Sequence, residues 1–289
     1  MEEYAVLATI ALNEICKNQP LLFNEMVAKY GSPREVCKLV EKNKIADFPP
    51  MVRRNARNFD LSIAKDIKNY CANNRIHIII RQHEKYPEML KNIDGEPNIL
   101  YCKGDLSVLD NDYAAAVVGR RKADSYSIRV TERFSTELSN NGFVIVSGCA
   151  NGIDRAAHRA TIAAKGKTIS VLGCGCDYDY PVGSDDLKRE ICKNGLLISE
   201  YPPLDPPRRD NFKVRNRIIS GLCQCVLVIQ AGKISGSLNT AYHALDQGRE
   251  VYVIPPADLF SGKYMGQIHL LSEGAVPVYS PEQIIDDIM

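Results

Sequence analysis

Basic side chains are concentrated in one ten-residue segment of this sequence. Residues 208–217 read RRDNFKVRNR, and five of them are cations: Arg208, Arg209, Lys213, Arg215 and Arg217. The whole chain of 289 residues carries 36 Lys and Arg against 35 Asp and Glu, so its formal net charge is only +1. A local cluster in an almost neutral protein predicts a patch that binds an anion. The alternative is a solvated loop whose charges have no ligand.

The aromatic residue within this cluster indicates which kind of anion to expect. Phe212 is surrounded in sequence by the cations of the cluster. Aromatic rings among cations hold single-stranded nucleic acid, because bases stack on the rings while the cations attract phosphates. Three tyrosines could either stack on bases or fill the edge of a sheet: Tyr178, Tyr180 and Tyr201.

Four turns that follow apolar runs add a second signal for phosphate. They read VVGRRKADSYS (117–127), VSGCANGIDRAAH (146–158), VLGCGCDYDYP (171–181) and QAGKISGSLNTA (230–241). Glycine lets the backbone approach a ligand closely, and the helix that follows offers free N–H groups to an anion. Tight turns also use glycine for structural reasons alone. The candidate phosphate-binding residues here are Gly119, Arg120, Arg121, Lys122, Gly148, Gly152, Ser235, Gly236 and Ser237.

No motif of a known nucleotide enzyme is present. None of the turns fits GxxxxGK[ST], and no GxGxxG opens a helix, so a P-loop ATPase and an ordinary dinucleotide enzyme are not indicated. Asp154 and His158, four residues apart, could form an acid–base or phosphate-contacting pair on one helix face. A local structural role is favoured, because no nucleophile with a supporting base is visible. We therefore predict no catalytic residue, no enzyme and no cofactor.

The pattern of apolar runs predicts an α/β fold. Eight short runs, from IHIII (76–80) to EVYVIP (250–255), alternate with amphipathic segments long enough for crossover helices. The runs are apolar throughout, which is typical of strands covered on both faces. This order predicts an open, doubly wound, mostly parallel sheet, whose ligands bind beyond the carboxyl ends of the strands. Residues 1–74 show helical periodicity, so we predict a small all-helical domain over 1–74 and an α/β domain over 75–289.

Composition narrows the class of protein further. No stretch approaches eighteen consecutive apolar residues, and the N-terminus has acids where a secretory signal has cations, which predicts a cytoplasmic protein without a membrane segment. The ten cysteines lack the spacing of a zinc site, so we predict buried, reduced thiols and no metal.

Six of these blocks resemble the bacterial DNA processing protein A (DprA/Smf) family, in order and approximate spacing, over about residues 76–285. They are VVGRRKADSYS, VSGCANGIDRAAH, KTISVLGCGCDYDYP, LISEYPP, FKVRNRIISGL and SGSLNTA. The resemblance implies an extended Rossmann-like domain with a basic pocket for single-stranded DNA, preceded by a small helical domain of the SAM or helix-hairpin-helix kind. It also implies a homodimer that protects incoming strands during natural transformation and loads a RecA-type recombinase on them.

Carried over position by position, the resemblance assigns binding roles to specific residues. The matching positions are Gly119 and Arg121, then Gly148, Gly152, Asp154 and His158, then Phe212, Arg215, Asn216 and Arg217, and finally Ser235, Gly236 and Ser237. Arg215 and Arg217 are thus both expected to contact phosphate. The sequence departs from the family pattern at Arg120, Lys213 and Pro256, where the family has Ser, Pro and Gly. The winged-helix domain of longer members is not expected, because the chain stops soon after the predicted sheet.

A nucleotide-binding enzyme or sensor is the alternative. Nucleotide phosphoribohydrolases resemble this architecture, but they carry a Pro-Gly-Gly-x-Gly-Thr turn followed by a catalytic Glu. The corresponding segment, QAGKISGSLNTAYHALDQG (230–248), has no Glu in that place. Hydrolysis is therefore the less favoured prediction, while a sensor of small nucleotides stays open.

Overall fold

The computed structural model of the protein describes residues 2–289. Its first part is helical, as the sequence predicts, with α1 (Glu2–Ile15), α2 (Pro20–Tyr30), α3 (Pro33–Glu41), α4 (Pro50–Arg57) and α5 (Leu61–Asn73). A proline stands in the first turn of α2, α3 and α4, where its missing N–H costs no hydrogen bond. Ser32 and Glu35 form a capping box on α3, and Asp60 caps α5 by accepting from the Ser62 N–H at 2.8 Å.

The rest of the described chain alternates strands with helices. The strands are β1 (Ile76–Ile80), β2 (Ile99–Gly104), β3 (Ala114–Gly119), β4 (Val144–Ser147), β5 (Thr168–Leu172), β6 (Gly195–Ser199), β7 (Cys225–Gln230), β8 (Glu250–Val253) and β9 (Val276–Pro277). The helices are α6 (Ser125–Asn140), α7 (Ile153–Ala163), α8 (Asp185–Asn194), α9 (Arg209–Gly221), α10 (Gly236–Asp246), α11 (Met265–Ser272) and α12 (Pro281–Ile288). Each predicted strand is confirmed. The sequence did not predict β9, because two residues are too few to show a pattern.

One sheet contains all of these strands, in the order β1-β2-β6-β5-β4-β3-β7-β8-β9. β1 pairs with β2, and β2 with β6, in antiparallel fashion, while the other neighbours are parallel. The chain starts the parallel part at β3, proceeds outward through β4, β5 and β6, and then returns to place β7 on the other side of β3. The sheet is therefore doubly wound, as predicted, and its topological switch point lies between β3 and β7.

Side chains of the central strands are buried on both faces of the sheet. In β3, Ala116 and Val118 belong to a core shared with residues of α9, α10 and α11, whereas Ala115 and Val117 pack with residues of α6 and α7 on the other face. Burial on both faces explains why these strands are apolar without alternation.

The N-terminal helices share a core with the sheet. Ile10 of α1 and Cys71 of α5 lie in the same buried cluster as Ile80 and Tyr101. A separate cluster that includes Phe23, Val36 and Phe48 holds α2, α3 and α4 together. The division at residue 74 stays a prediction. Within residues 2–289, no helix has the length and apolar character that a membrane crossing requires.

Candidate functional site

A cleft of about 950 Å³ opens at the carboxyl ends of β3, β4 and β7. The turn after β3 supplies residues 119–122, the turn after β7 supplies 232–237, and α7 contributes Asp154. One face of α9 forms the remaining wall with Phe212, Lys213, Arg215 and Asn216. The cleft thus lies at the topological switch point, where open α/β sheets bind ligands. Residues of all four glycine turns line the cleft together with the basic segment, Tyr180 being the contribution of the turn after β5.

The cleft is strongly cationic. Seven of its lining residues are basic and one is acidic, the latter being Asp154. Exposed cations on its surface are Arg121, Lys122, Arg209, Lys213 and Lys233, and Arg120 is partly exposed. Lys233 was not among the predicted site residues, although it lies in a quoted turn, and Arg209 was assigned only to the basic segment. Neither residue lies at a position to which the family resemblance assigns a binding role.

Arg215 is a buried cation in the wall of this cleft. It is 5% exposed, and its Nη1 donates to the carbonyl oxygens of Val171 and, at 3.0 Å, Gly148. A Cβ on Gly148 would lie 2.7 Å from Arg215 Nη2, so glycine leaves the space that the guanidinium fills. Burial lowers the pKa of Arg215, and the nearby Asp154 carboxylate opposes that shift. The turn after β4 and the strand end of β5 therefore fix Arg215 in place.

Arg217 does not line the cleft, which corrects the prediction made for it. Its Nη1 and Nη2 donate to the two carboxylate oxygens of Glu200 at 2.7 and 2.6 Å, and its Nε donates to Gly95 O at 2.7 Å. The side chain is 5% exposed. Since a helix turns about 100° per residue, side chains two positions apart point in nearly opposite directions. Both arginines are on α9, so Arg215 points to the cleft while Arg217 points away from it and forms a buried ion pair.

His158 is also excluded from the cleft, which corrects its predicted phosphate contact. It is fully buried, and its Nδ1 lies 2.7 Å from Thr168 Oγ1. Thr168 already donates its hydroxyl proton to Ile145 O at 2.6 Å, so Nδ1 must be the protonated, donating nitrogen of the ring. Burial lowers the pKa of His158 to about 3, which keeps the ring neutral. His158 therefore has a local structural role, which is the role that the sequence analysis favoured.

Asp154 lies close to the cleft and is engaged by local donors. Its carboxylate accepts from the Ala150 N–H at 3.2 Å. Burial raises the pKa of Asp154, while Arg215 and the backbone N–H groups partly offset that rise. The carboxylate balances the charge of Arg215 and stabilises the start of α7.

Phe212 lies against one aromatic and two cationic side chains. Its ring centroid is 5.2 Å from that of Tyr180, and the guanidinium carbons of Arg121 and Arg215 are each 5.9 Å from it. A Cβ on Gly173 would lie 2.7 Å from the Phe212 ring, so this glycine makes room for the aromatic group. The sequence left the roles of three tyrosines open, and the structure places them differently. Tyr180 lines the cleft, Tyr178 is exposed outside it and Tyr201 is buried.

The turns are fastened to one another by backbone contacts. Gly152 has a φ of 80°, and a Cβ there would lie 2.3 Å from Arg120 O, so the position requires glycine. The Ile153 N–H donates to the same carbonyl oxygen at 3.3 Å. This contact fixes the turn after β3 to the start of α7.

The turn after β7 is organised by the N-terminus of α10. Ser235 caps the helix by accepting from the Ser237 N–H at 3.3 Å, and the two hydroxyl oxygens lie 2.6 Å apart. Asn216 Nδ2 donates to Gly236 O and to Asn239 Oδ1, each at 3.1 Å. Asn216 therefore connects α9 to the turn, while Gly236 stays open, since no atom lies within 4 Å of where its Cβ would be.

The fold and the cleft define a doubly wound α/β protein with a cationic cleft at its switch point. Residues 77–289 match the family described as DNA recombination-mediator protein A, and the chain belongs to that family. This confirms the resemblance to the DprA/Smf family found in the sequence. The DNA processing protein DprA of Bacillus subtilis is 40% identical over 213 residues, which are 74% of this chain and 71% of that protein. Protein Smf of Escherichia coli is 38% identical over 213 residues, covering 73% and 56% of the two chains.

Two solved structures share the architecture. The X-ray structure of DNA processing protein A from Streptococcus pneumoniae is 31% identical with a TM-score of 0.80, covering 99% of this chain and 96% of that one. The DNA processing protein A of Helicobacter pylori, solved to describe its single-stranded DNA binding mode, is 30% identical with a TM-score of 0.67. It covers 74% of this chain and 97% of its own. The first match includes the N-terminal helices, so these helices also occur in a relative.

Proposed function

We propose that the protein binds single-stranded DNA in the cleft at the switch point. The observation that carries this proposal is the ratio of seven cationic to one acidic lining residue, with Phe212 stacked among the cations. Cations offset the repulsion between the phosphates of a strand, and bases stack on aromatic rings. The Helicobacter pylori relative, with its single-stranded DNA binding mode, gives independent support.

Binding is favoured over catalysis by the chemistry of the cleft. Among the described residues that line it, Asp154 is the lone carboxylate, and backbone N–H donation and Arg215 already engage it. A general acid and base would need a second titratable group within hydrogen-bond reach, and no lysine or tyrosine that lines the described cleft is hydrogen-bonded to Asp154. His158, the sequence candidate, is buried outside the cleft. The alternative of a nucleotide hydrolase therefore receives no support.

The wider role that we propose is protection of the strand and its transfer to a RecA-type recombinase, by a protein that self-associates as a homodimer. Membership of the recombination-mediator family supports it. Light scattering of the purified protein would measure the oligomer, and strand-exchange assays with a recombinase would measure transfer. A monomer at micromolar concentration, or strand exchange that the protein leaves unchanged, would contradict these two parts of the proposal.

A titration tests the binding itself. Single-stranded DNA, duplex DNA and RNA of equal length are compared at two salt concentrations, with fluorescence anisotropy as the readout. We expect preference for the single strand and a steep loss of affinity with salt. Tight duplex binding, or no binding to any of the three, would contradict the proposal.

The variant Arg121→Ala sharpens this test. In the parent protein, the Arg121 guanidinium is exposed in the cleft beside Phe212. Loss of this group should weaken single-strand binding and reduce the slope of log affinity against log salt concentration by about 0.7. Lys42→Ala, an exposed cation that follows α3 and does not line the cleft, is the matched control and should leave the slope unchanged. Equal slopes for both variants and the parent would show that Arg121 contacts no phosphate.

A further inference from the structure

Two large apolar side chains are almost fully exposed on one rim of the cleft. Ile234 is 99% exposed and Phe260 is 97% exposed, which makes them the most exposed large hydrophobic residues in the described chain. Leu259, next to Phe260, is 62% exposed. Single exposed hydrophobic residues are ordinary, but a group of three beside a binding cleft indicates a contact surface.

The two segments that carry these side chains adjoin each other. Ile234 lies in the turn between β7 and α10 and lines the cleft. Phe260 lies in the loop between β8 and α11, and Gly262 of that loop also lines the cleft. A Cβ on Gly232 would lie 3.4 Å from Gly262 O, and the Gly266 N–H donates to Ala231 O at 2.9 Å. The loop and the turn therefore form one continuous rim.

Hydrogen bonds at the tip and at the far end order the loop that carries Phe260. The Phe260 N–H donates to Asp258 Oδ1 at 2.9 Å, an Asx turn at the tip of the loop. At the far end of the loop, the Tyr264 hydroxyl donates to Asp124 Oδ2 at 2.6 Å. Asp124 caps α6 by accepting from the Ser127 N–H at 2.9 Å, so the loop is tied to the helix that follows β3.

The charge around this rim identifies its occupant. Lys233 precedes Ile234 and Lys263 follows the loop tip, and both are exposed, against one exposed acid of the loop, Asp258, which accepts from the Phe260 N–H. Arg120 Nη1 would lie 3.8 Å from a Cβ on Gly232, so a third cation lies close to the rim. A ligand that fits here must be anionic and also present apolar faces. Nucleic-acid bases on a phosphate backbone have both properties, whereas an apolar protein surface would leave the cations without partners.

We propose that Phe260 and Ile234 contact the bases of the strand whose phosphates the cleft binds, with Phe260 stacking on a base. This inference rests on the proposed function. The proposed site extends beyond the cleft to the loop between β8 and α11. In this proposal the rim contacts the bases of the strand, and the cleft binds its phosphate backbone.

A tryptophan reporter tests the stacking directly. The chain contains no tryptophan, so Phe260→Trp introduces a single tryptophan at an exposed position, which can be excited selectively over the tyrosines. An oligothymidine should quench its fluorescence, while an abasic strand of the same length and charge should not. Leu21→Trp, on α2 at a position that is 72% exposed, is the control and should respond to neither strand.

Affinity gives a second readout. Phe260→Ala should weaken oligothymidine binding by about 5- to 150-fold. The abasic strand should bind the variant and the parent equally, because a strand without bases has no base that Phe260 could contact. The salt slope should stay unchanged, since no charge is altered.

Failure of this inference and failure of the proposed function are distinguishable. A parent protein that binds neither strand would overturn the proposed function. A parent that binds while Phe260→Ala binds oligothymidine equally well would overturn the rim assignment alone. Equal loss of affinity for both strands in Phe260→Ala would also overturn the rim assignment. A change in the oligomer mass of this variant without DNA would overturn it too, because it would show that a second copy of the protein covers the rim.

Discussion

Arg215 and Arg217 stand two residues apart on α9, and their surroundings give them different roles. Arg215 reaches carbonyl oxygens beneath the cleft, while both carboxylate oxygens of Glu200 bind Arg217. A buried ion pair contributes little net stability, yet removing one partner leaves an uncompensated charge. At the scale of single residues, the face of the helix that carries a cation therefore decides whether that cation lines the cleft.

Arg217→Ala should destabilise the protein by about 3–5 kcal/mol, because Glu200 would remain buried without a partner. Urea unfolding measures this change. Lys213→Ala, an exposed cation on the same helix, is the matched variant: it should alter stability by no more than about 0.5 kcal/mol while weakening DNA binding. An Arg217→Ala protein with parental stability and a reduced salt slope would restore the phosphate role that the sequence suggested.

Turns and helix ends position the site at the scale of elements. A side chain on Gly148 or Gly173 would clash with the Arg215 or Phe212 side chain of α9, and one on Gly152 would clash with the backbone oxygen of Arg120 in the turn after β3. Close packing of the turns against α9 and against one another therefore builds the cleft. Gly148, Gly152 and Gly173 make room for protein groups, which differs from the expectation that glycines approach a phosphate, whereas Gly236 is open.

Gly173→Ala should displace the Phe212 ring, since the new Cβ would lie 2.7 Å from it. Loss of the stacking face should weaken single-strand binding by about 1–3 kcal/mol, as Phe212→Ala should. Anisotropy titration gives the affinities. Gly236→Ala has free space around its Cβ, so its melting temperature should match that of the parent. Parental affinity in Gly173→Ala would contradict the role of this turn in placing Phe212.

At the scale of the whole molecule, the helical part and the sheet meet in a shared core, and helix α1 of the helical part also carries a half-buried carboxyl group. Burial, with a smaller contribution from Asp205, raises the pKa of Glu14 on α1 to about 7, while Lys17 and Arg208 oppose this rise. One Glu14 carboxylate oxygen is buried and has no hydrogen-bond partner. The folded protein therefore holds a proton on Glu14 at a pH where the unfolded chain has released it.

This difference predicts how stability changes with pH. The contribution of Glu14 is full below its unfolded pKa of about 4.5 and is lost as pH rises through about 7, with a slope of up to about 1.4 kcal/mol per pH unit. Glu14→Gln should remove this loss, so the fall in unfolding free energy between pH 5 and pH 8 should be smaller than in the parent. Urea unfolding at the two pH values gives the comparison. An identical fall in both proteins would show that Glu14 is ionised throughout.

The sequence by itself determined the elements and the edge of the sheet that carries the site. Continuous apolar runs such as AAAVVG predicted strands buried on both faces, and their alternation with helices predicted the doubly wound order. Carboxyl ends of parallel strands share one edge, so the meeting of the turns followed from the order alone. These are local properties, because element type depends on the period of neighbouring residues.

Only the tertiary structure decided which side chains share the cleft. Arg217 pairs with Glu200 and with the distant Gly95 O, and His158 pairs with Thr168, contacts that no local pattern encodes. Lys233 and Arg209 joined the site because their elements converge there. Similar side chains on one helix can differ in role, because burial and partner depend on what the remainder of the chain places against each face.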